Sequence, residues 1–317
     1  MSLRLPDRWI WDSWYVKDGD TYHAFYLCAS RGLGDPNRRH RNPSVGHAIS
    51  KDLVNWEVVA DAITPSEENA FDSWTTWTGS VTKDDNGKWW MFYTGSSRED
   101  GGLTQRIGAA TSDDLITWTK LSSEAMVEAD GTWYEKLDLT AWGDEAWRDP
   151  WVFRYPGDST WQMLITGRSK VGNPRTRGVI GHATSTNLTD WTVQAPLSKP
   201  DQGFGQYEVF QYENVDGVPI LLFCCGWREL GEENVAKFGK IDATYSVVVG
   251  DRLEDVDFSN ARPFTEKLVY AGRLICGPEG KWFLMGFINE VEGKFVGELS
   301  DPIPVTADPV LGIIPRR

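Results

Sequence analysis

The sequence predicts an all-β chain folded as a five-bladed β-propeller, with an active site at the mouth of its central channel. Three observations carry that reading. A motif, G-x-A-x-S followed by Leu and Trp, recurs as "VGHAISKDLVNWEVV" from Val45, "IGAATSDDLITWTKL" from Ile107 and "IGHATSTNLTDWTVQ" from Ile180. Five apolar, aromatic-rich segments each follow a turn signal ending in glycine, at Gly19, Gly87, Gly157, Gly217 and Gly280. No segment sustains the 3.6-residue apolar period of an amphipathic helix, so helical content should be minimal. A four-stranded meander present five times explains all three, and such units stack radially as blades. A two-sheet sandwich leaves the periodic motif unexplained. One domain spanning residues 1–317 is expected.

The first unit runs from "WIWDSWY" through the Gly19 turn into "TYHAFYLCA", then into the first copy of the motif. The second runs from "WTGS" through Gly87 into "KWWMFYTG", and the third from "WRDP" through Gly157 into "WQMLITG". The fourth pairs "YEVF" with "VPILLFCCG" and keeps only a weakened outer hairpin, "YSVVVGDRLEDVDF" from Tyr245. The fifth is short, and "PVLGIIPRR" at the end of the chain is expected to add an edge strand that closes the ring.

Composition narrows the ligand. The formal charge is −14 and the pI about 4.8, so nucleic acid and anionic membrane are excluded as partners by repulsion. A neutral or cationic small molecule fits, and acidity also serves solubility. The 17 tryptophans fill a β-rich core, and a few near a site suffice as flat platforms for sugar rings. Cys28, Cys224, Cys225 and Cys276 lack metal-type spacing and are expected as buried free thiols. No basic-plus-apolar leader and no membrane-length apolar run is visible, which reads as cytoplasmic, while the initial "MSL" leaves room for a secretion signal already removed.

The turn glycines give a ruler for the inner strands. Counting back a near-constant distance from each finds Asp12, then Thr78 and Gly79, then Asp149, then Glu208, and lastly Gly272 with Arg273 beside it. Three acids thus fall at one expected station, each among aromatic residues. A carboxylate in apolar surroundings is expensive unless it has a partner or a chemical role. Glycoside cleavage supplies such a role, since one carboxylate attacks or activates water, another delivers a proton, and the cluster stabilises a cationic transition state. No His stands beside these acids and no calcium-type loop is present, so no metal and no cofactor are expected. Arg148, next to Asp149, can pair with that acid or reach sugar hydroxyls.

"IWDSWY", "WTGS", "WRDP" and "YEVF" resemble, in order and spacing, the fructan-active enzymes of glycoside hydrolase families 32 and 68. The resemblance covers nearly the whole chain. It implies a five-bladed propeller that retains configuration while cleaving sucrose or small fructo-oligosaccharides. It makes Asp12 the nucleophile that forms a fructosyl-enzyme, Asp149 the transition-state stabiliser, and Glu208 the general acid/base. Trp11 and Trp77 would wall the fructosyl ring, Thr78 would hydrogen-bond the nucleophile, and Arg148 and Gln206 would complete substrate binding. Val209 and Gln206 depart from the levansucrase pattern, which places the difference on the leaving-group side. Transfructosylation would use the same residues. Two alternatives stay open: an inverting arabinofuranosidase or xylosidase with the same order of acids, and a sugar-binding propeller without catalysis. Oligomeric state is not legible. The basic loops "RGLGDPNRRHRNPS" and "SKVGNPRTRG" suit a leaving-group subsite, an interface or plain solvent.

Overall fold

Five antiparallel sheets follow one another along the chain in the computed structural model, which describes residues 3–67, 69–265 and 269–316. Blade 1 holds β1 (Arg8–Asp18), β2 (Thr21–Ser30), β3 (Ser44–Ser50) and β4 (Trp56–Val58). Blade 2 holds β5 (Thr75–Lys83), β6 (Trp89–Ser96), β7 (Gln105–Ser112) and β8 (Thr119–Lys120). Blade 3 holds β9 (Trp147–Arg154), β10 (Trp161–Arg168), β11 (Gly178–Ser185) and β12 (Thr192–Gln194). Blade 4 holds β13 (Glu208–Val215), β14 (Val218–Cys225), β15 (Ala243–Val248) and β16 (Arg262–Pro263). Blade 5 holds β17 (Tyr270–Cys276), β18 (Trp282–Val291), β19 (Lys294–Leu299), β20 (Ile303–Asp308) and β21 (Gly312–Pro315). Each inner strand packs on the next, and β17 returns to β1, so the ring is a five-bladed propeller.

The recurrent motif has a physical explanation. Ser50 Oγ accepts the amide of Leu53 at 3.0 Å, and Asp52 Oδ1 accepts those of Val54 and Asn55. These bonds hold Leu53 at φ 66°, a left-handed conformation that is costly for a branched side chain. Leu53 is fully buried, and its carbonyl accepts Trp56 Nε1 at 3.0 Å. The same bend recurs with Ser112, Leu115 and Trp118, and with Ser185, Leu188 and Trp191. The motif glycine has its own reason. A Cβ at Gly46 would sit 2.4 Å from the Tyr26 ring, and one at Gly108 would sit 2.2 Å from Phe71. Gly46→Ala should lower stability by about 1–3 kcal/mol, read as a denaturant midpoint shift at unchanged m value.

Apolar side chains fill the wedges between blades. One cluster joins blades 1, 2 and 5 around Trp14 and Phe25, and others bridge blades 2 and 3, 3 and 4, and 4 and 5. Polar side chains stitch neighbouring blades through backbone groups. Ser80 Oγ accepts the amide of Val152, and Gln211 both donates to Leu274 O and accepts Leu274 N. Such bonds suit a wedge interior, where a lone polar group would be costly.

Three expectations change. β21 pairs with β20 at the outer edge of blade 5 and does not join blade 1. The ring closes instead by packing of β1 against β17 and β19, with Leu299 N donating to Leu3 O at 3.1 Å. The outer part of blade 4 is β15 and β16, distant in sequence, rather than a hairpin within 245–258, because a loop past the expected turn separates them. Helical content is minimal, as expected: a short helix, α1 (Glu232–Phe238), follows β14. Cys28, Cys224 and Cys225 are buried free thiols, whereas Cys276 is only half-buried. Among the described residues no helix is long and apolar enough to cross a membrane.

Candidate active site

Every inner strand carries a bulge at the same depth. The register skips a partner after Trp11, Trp77, Arg148, Glu208 and Tyr270, so one extra residue enters each inner strand. The bulges bend the strands and re-aim side chains toward the channel mouth. Asp149, Val209 and Ala271 take φ values of 58°, 56° and 49° there, strain that packing must hold in place. The register also corrects the ruler. Asp12, Thr78 and Asp149 immediately follow the last paired residue, whereas Glu208 is itself that residue, one position earlier. Glu208 thus matches Trp11, Trp77, Arg148 and Tyr270. Counting from a turn measures strand length, not the point at which a bulge enters.

All eight residues singled out from the sequence nonetheless line one cavity of about 410 Å³: Trp11, Asp12, Trp77, Thr78, Arg148, Asp149, Gln206 and Glu208. Thr78 Oγ1 donates to Asp12 Oδ2 at 2.5 Å. Thr166 Oγ1 donates to Asp149 Oδ2 at 3.0 Å, and Asp149 N donates to Thr94 Oγ1 at 2.8 Å. Arg148 joins the acids, with Nη2 2.6 Å from Glu208 Oε1 and Nε 3.5 Å from Asp149 Oδ2. Its remaining donors reach Gln105 Oε1 and Gln206 Oε1. Tyr270 OH donates to the second Glu208 oxygen at 2.5 Å. Gln206 accepts from Arg148 and donates to Glu229, so both ends of its amide are engaged by the protein itself.

Burial and mutual repulsion set the protonation. Asp12 is pushed up to about 6 by burial, with Thr78 opposing and Glu208 adding. Asp149 is pushed up to about 7 by burial, against Arg148, with Glu208 and Asp12 adding. Burial disfavours the Arg148 cation, but Glu208 and Asp149 outweigh it and keep the guanidinium charged. Beneath the acids lies Arg273, 1% exposed, which donates to Phe210 O and rests 4.9 Å from the Trp151 ring centre. Burial lowers it to about 10, while Asp149, Cys224 and Asp12 favour its charge. Loss of the Thr78 bond, as in Thr78→Val, should carry the Asp12 titration upward. The midpoint, read by carboxyl NMR, should then rise by about one to two pH units, because a charge-assisted bond contributes about 1.5–3 kcal/mol and one unit is about 1.4 kcal/mol.

Sequence reasoning missed Arg39, His40, Gln105, Asp144, Glu229, Asp242 and Tyr270, which complete the lining with others. Most come from loops after the central strands, where no periodic pattern points to them. Arg39 lies over Phe295 at 3.7 Å and over Trp11 at 5.6 Å, so the first basic loop does reach the cavity on the blade 1 side. The second basic loop does not line it; its Pro174 carbonyl instead accepts from buried Arg168. Among the described residues no cluster of His, Cys, Asp or Glu is arranged to hold a metal ion.

The N-terminal domain of glycosyl hydrolases family 32 matches residues 10–296 of the chain. Sucrose-6-phosphate hydrolase of Escherichia coli is 30% identical over 209 residues, which is 63% of this chain and 38% of that protein. The enzyme of the same name from Bacillus subtilis is 29% identical over 194 residues, 61% of this chain and 34% of its own length. The chain therefore matches little more than a third of these relatives. Among solved structures, a GH32 β-fructofuranosidase from Bombyx mori superposes with a TM-score of 0.73 at 18% identity, over 100% of this chain and 64% of that one. An inulosucrase from Halalkalicoccus jeotgali bound to kestose gives 0.72 at 20% identity, over 96% and 86%.

Proposed function

The chain belongs to glycosyl hydrolase family 32, and on that premise we propose that it cleaves β-fructofuranosides, sucrose or small fructo-oligosaccharides, with retention through a fructosyl-enzyme. One observation carries the proposal: Asp12, Asp149 and Glu208, supplied by three blades, line a single cavity with Arg148 between two of them. In the first step the Asp12 carboxylate attacks the anomeric carbon of the fructosyl ring while Glu208 gives its proton to the departing oxygen. In the second, water attacks the same carbon, yields a proton to Glu208, and releases Asp12 as a carboxylate. Asp149 and the Arg148 guanidinium hold the ring between them, and the cluster of acids stabilises the oxocarbenium-like charge. Trp11 and Trp77 offer flat apolar faces beside Asp12 and Thr78.

A sugar in place of water in the second step makes the reaction a transfructosylation. Two relatives are named for the 6-phosphate ester of sucrose, so that ester is the competing substrate. The five blades are proposed to act as one catalytic domain on a small carbohydrate. Proton NMR of sucrose and 1-kestose digests tests the reading. β-Fructofuranose should appear first and mutarotate afterwards; α-fructofuranose appearing first would favour inversion. Trisaccharides at high sucrose concentration would report transfer.

A further inference from the structure

Resting on that reading of the site, we infer that the leaving-group half of the cavity takes an uncharged, hydroxyl-rich sugar and rejects a phosphorylated one. Glu208 protonates the departing oxygen, so the leaving group lies on the side of the loops around it. Those loops present Asp144, Glu229 and Asp242 to the cavity. The three acids are tied in place. Gln206 Nε2 donates to Glu229 Oε1 at 2.6 Å, Gln105 Nε2 to Asp144 Oδ2 at 2.7 Å, and Trp227 N to Asp242 Oδ1 at 2.8 Å. Carboxylates that line a cavity accept hydrogen bonds, and sugar hydroxyls are donors. A phosphate dianion offers none and adds two like charges.

Among the described residues, the cationic side chains of the lining are Arg39 and Arg148, since burial lowers His40 to about 4 and leaves it neutral. Arg148 is already committed to Glu208, Asp149, Gln105 and Gln206. Arg39 lies on the blade 1 side, over Trp11 and Phe295, where the fructosyl ring would rest. Burial already holds Asp12, Asp149 and Glu229 above their usual range, so the cavity resists negative charge before any ligand arrives.

Steady-state kinetics of the intact chain with sucrose and with sucrose 6-phosphate test the inference. The ratio of kcat/KM should favour sucrose by at least about a hundredfold, given like charges held together in a partly desolvated cavity. The double variant Asp144→Asn with Asp242→Asn should cut that ratio at least about tenfold by improving the phosphorylated substrate. Calorimetry on the Asp12→Asn variant separates substrate class from reaction. Sucrose should bind at least about tenfold more tightly than its phosphate. That difference without turnover of either sugar by the unmodified chain would leave the inference standing and sink the proposed reaction. Equal binding or equal turnover of the two sugars would overturn it, and failure of both to bind would overturn both readings.

Discussion

Replacing Asp12 with alanine should lower kcat on sucrose by at least about four orders of magnitude, the scale seen when a nucleophile is removed from a unit that acts together. The chemistry makes the test sharper than loss of activity. Azide fits the space a carboxylate leaves and can attack the anomeric carbon directly, in one displacement instead of two. Turnover restored by azide should therefore yield the α-configured fructosyl azide, detectable by NMR. A β-configured azide would remove Asp12 from the nucleophilic role. The isosteric Asp12→Asn variant carries an opposite expectation for stability. Because burial holds the Asp12 carboxyl near 6 in the fold, above its ordinary value of 3.8, the native state binds this proton more tightly than the unfolded chain. Stability from this group is thus fully present below about 4 and is lost as pH rises through about 6. At pH 7.5 the amide should raise the unfolding free energy by about 1–2 kcal/mol, discounting the full shift for the cavity's water. Below pH 4 the two proteins should unfold alike. An inactive variant more stable than its parent at neutral pH would be the signature of a carboxylate held for function.

Replacement of Glu208 by alanine should separate two classes of leaving group. With sucrose, whose departing oxygen needs a proton, kcat/KM should fall by about three to four orders of magnitude. With a fructosyl fluoride, whose leaving group needs little protonation, the first step should slow by less than about tenfold. Azide should then take the place of water in the second step and give the β-configured fructosyl azide, because two displacements still occur. The pair of anomers, α from the Asp12 variant and β from the Glu208 variant, assigns both roles in one experiment. Arg148 and Tyr270 each hold one Glu208 oxygen, so Tyr270→Phe should lower kcat/KM on sucrose more than on the fructosyl fluoride while leaving the anomer unchanged. An equal loss on both substrates would show that Tyr270 serves packing alone.

The fold was legible because its signals are local. A turn glycine, five alternating aromatic strands and a Ser–Leu–Trp bend each act within a dozen residues, and the five-bladed ring follows from repeating them. The acids were legible for a related reason, since "WIWDSWY", "WRDP" and "QYEVFQY" set carboxylates in surroundings that only a partner or a reaction can justify. The loop residues were not legible. Glu229 stands outside any strand pattern, and Tyr270 is one more aromatic residue in an apolar run.

By itself, then, the sequence determined the number of blades, the strands within them and which acids to suspect, because these depend on neighbours along the chain. The tertiary structure alone decided the rest. Where an extra residue enters each ladder depends on the partner strand, and that choice places Glu208 one position before the station of Asp12 and Asp149. The proton affinities, and the reach of Arg148 from blade 3 to an acid of blade 4, arise only when segments far apart in sequence exclude water from a shared cavity, since electrostatic energy depends on distance in space and on burial.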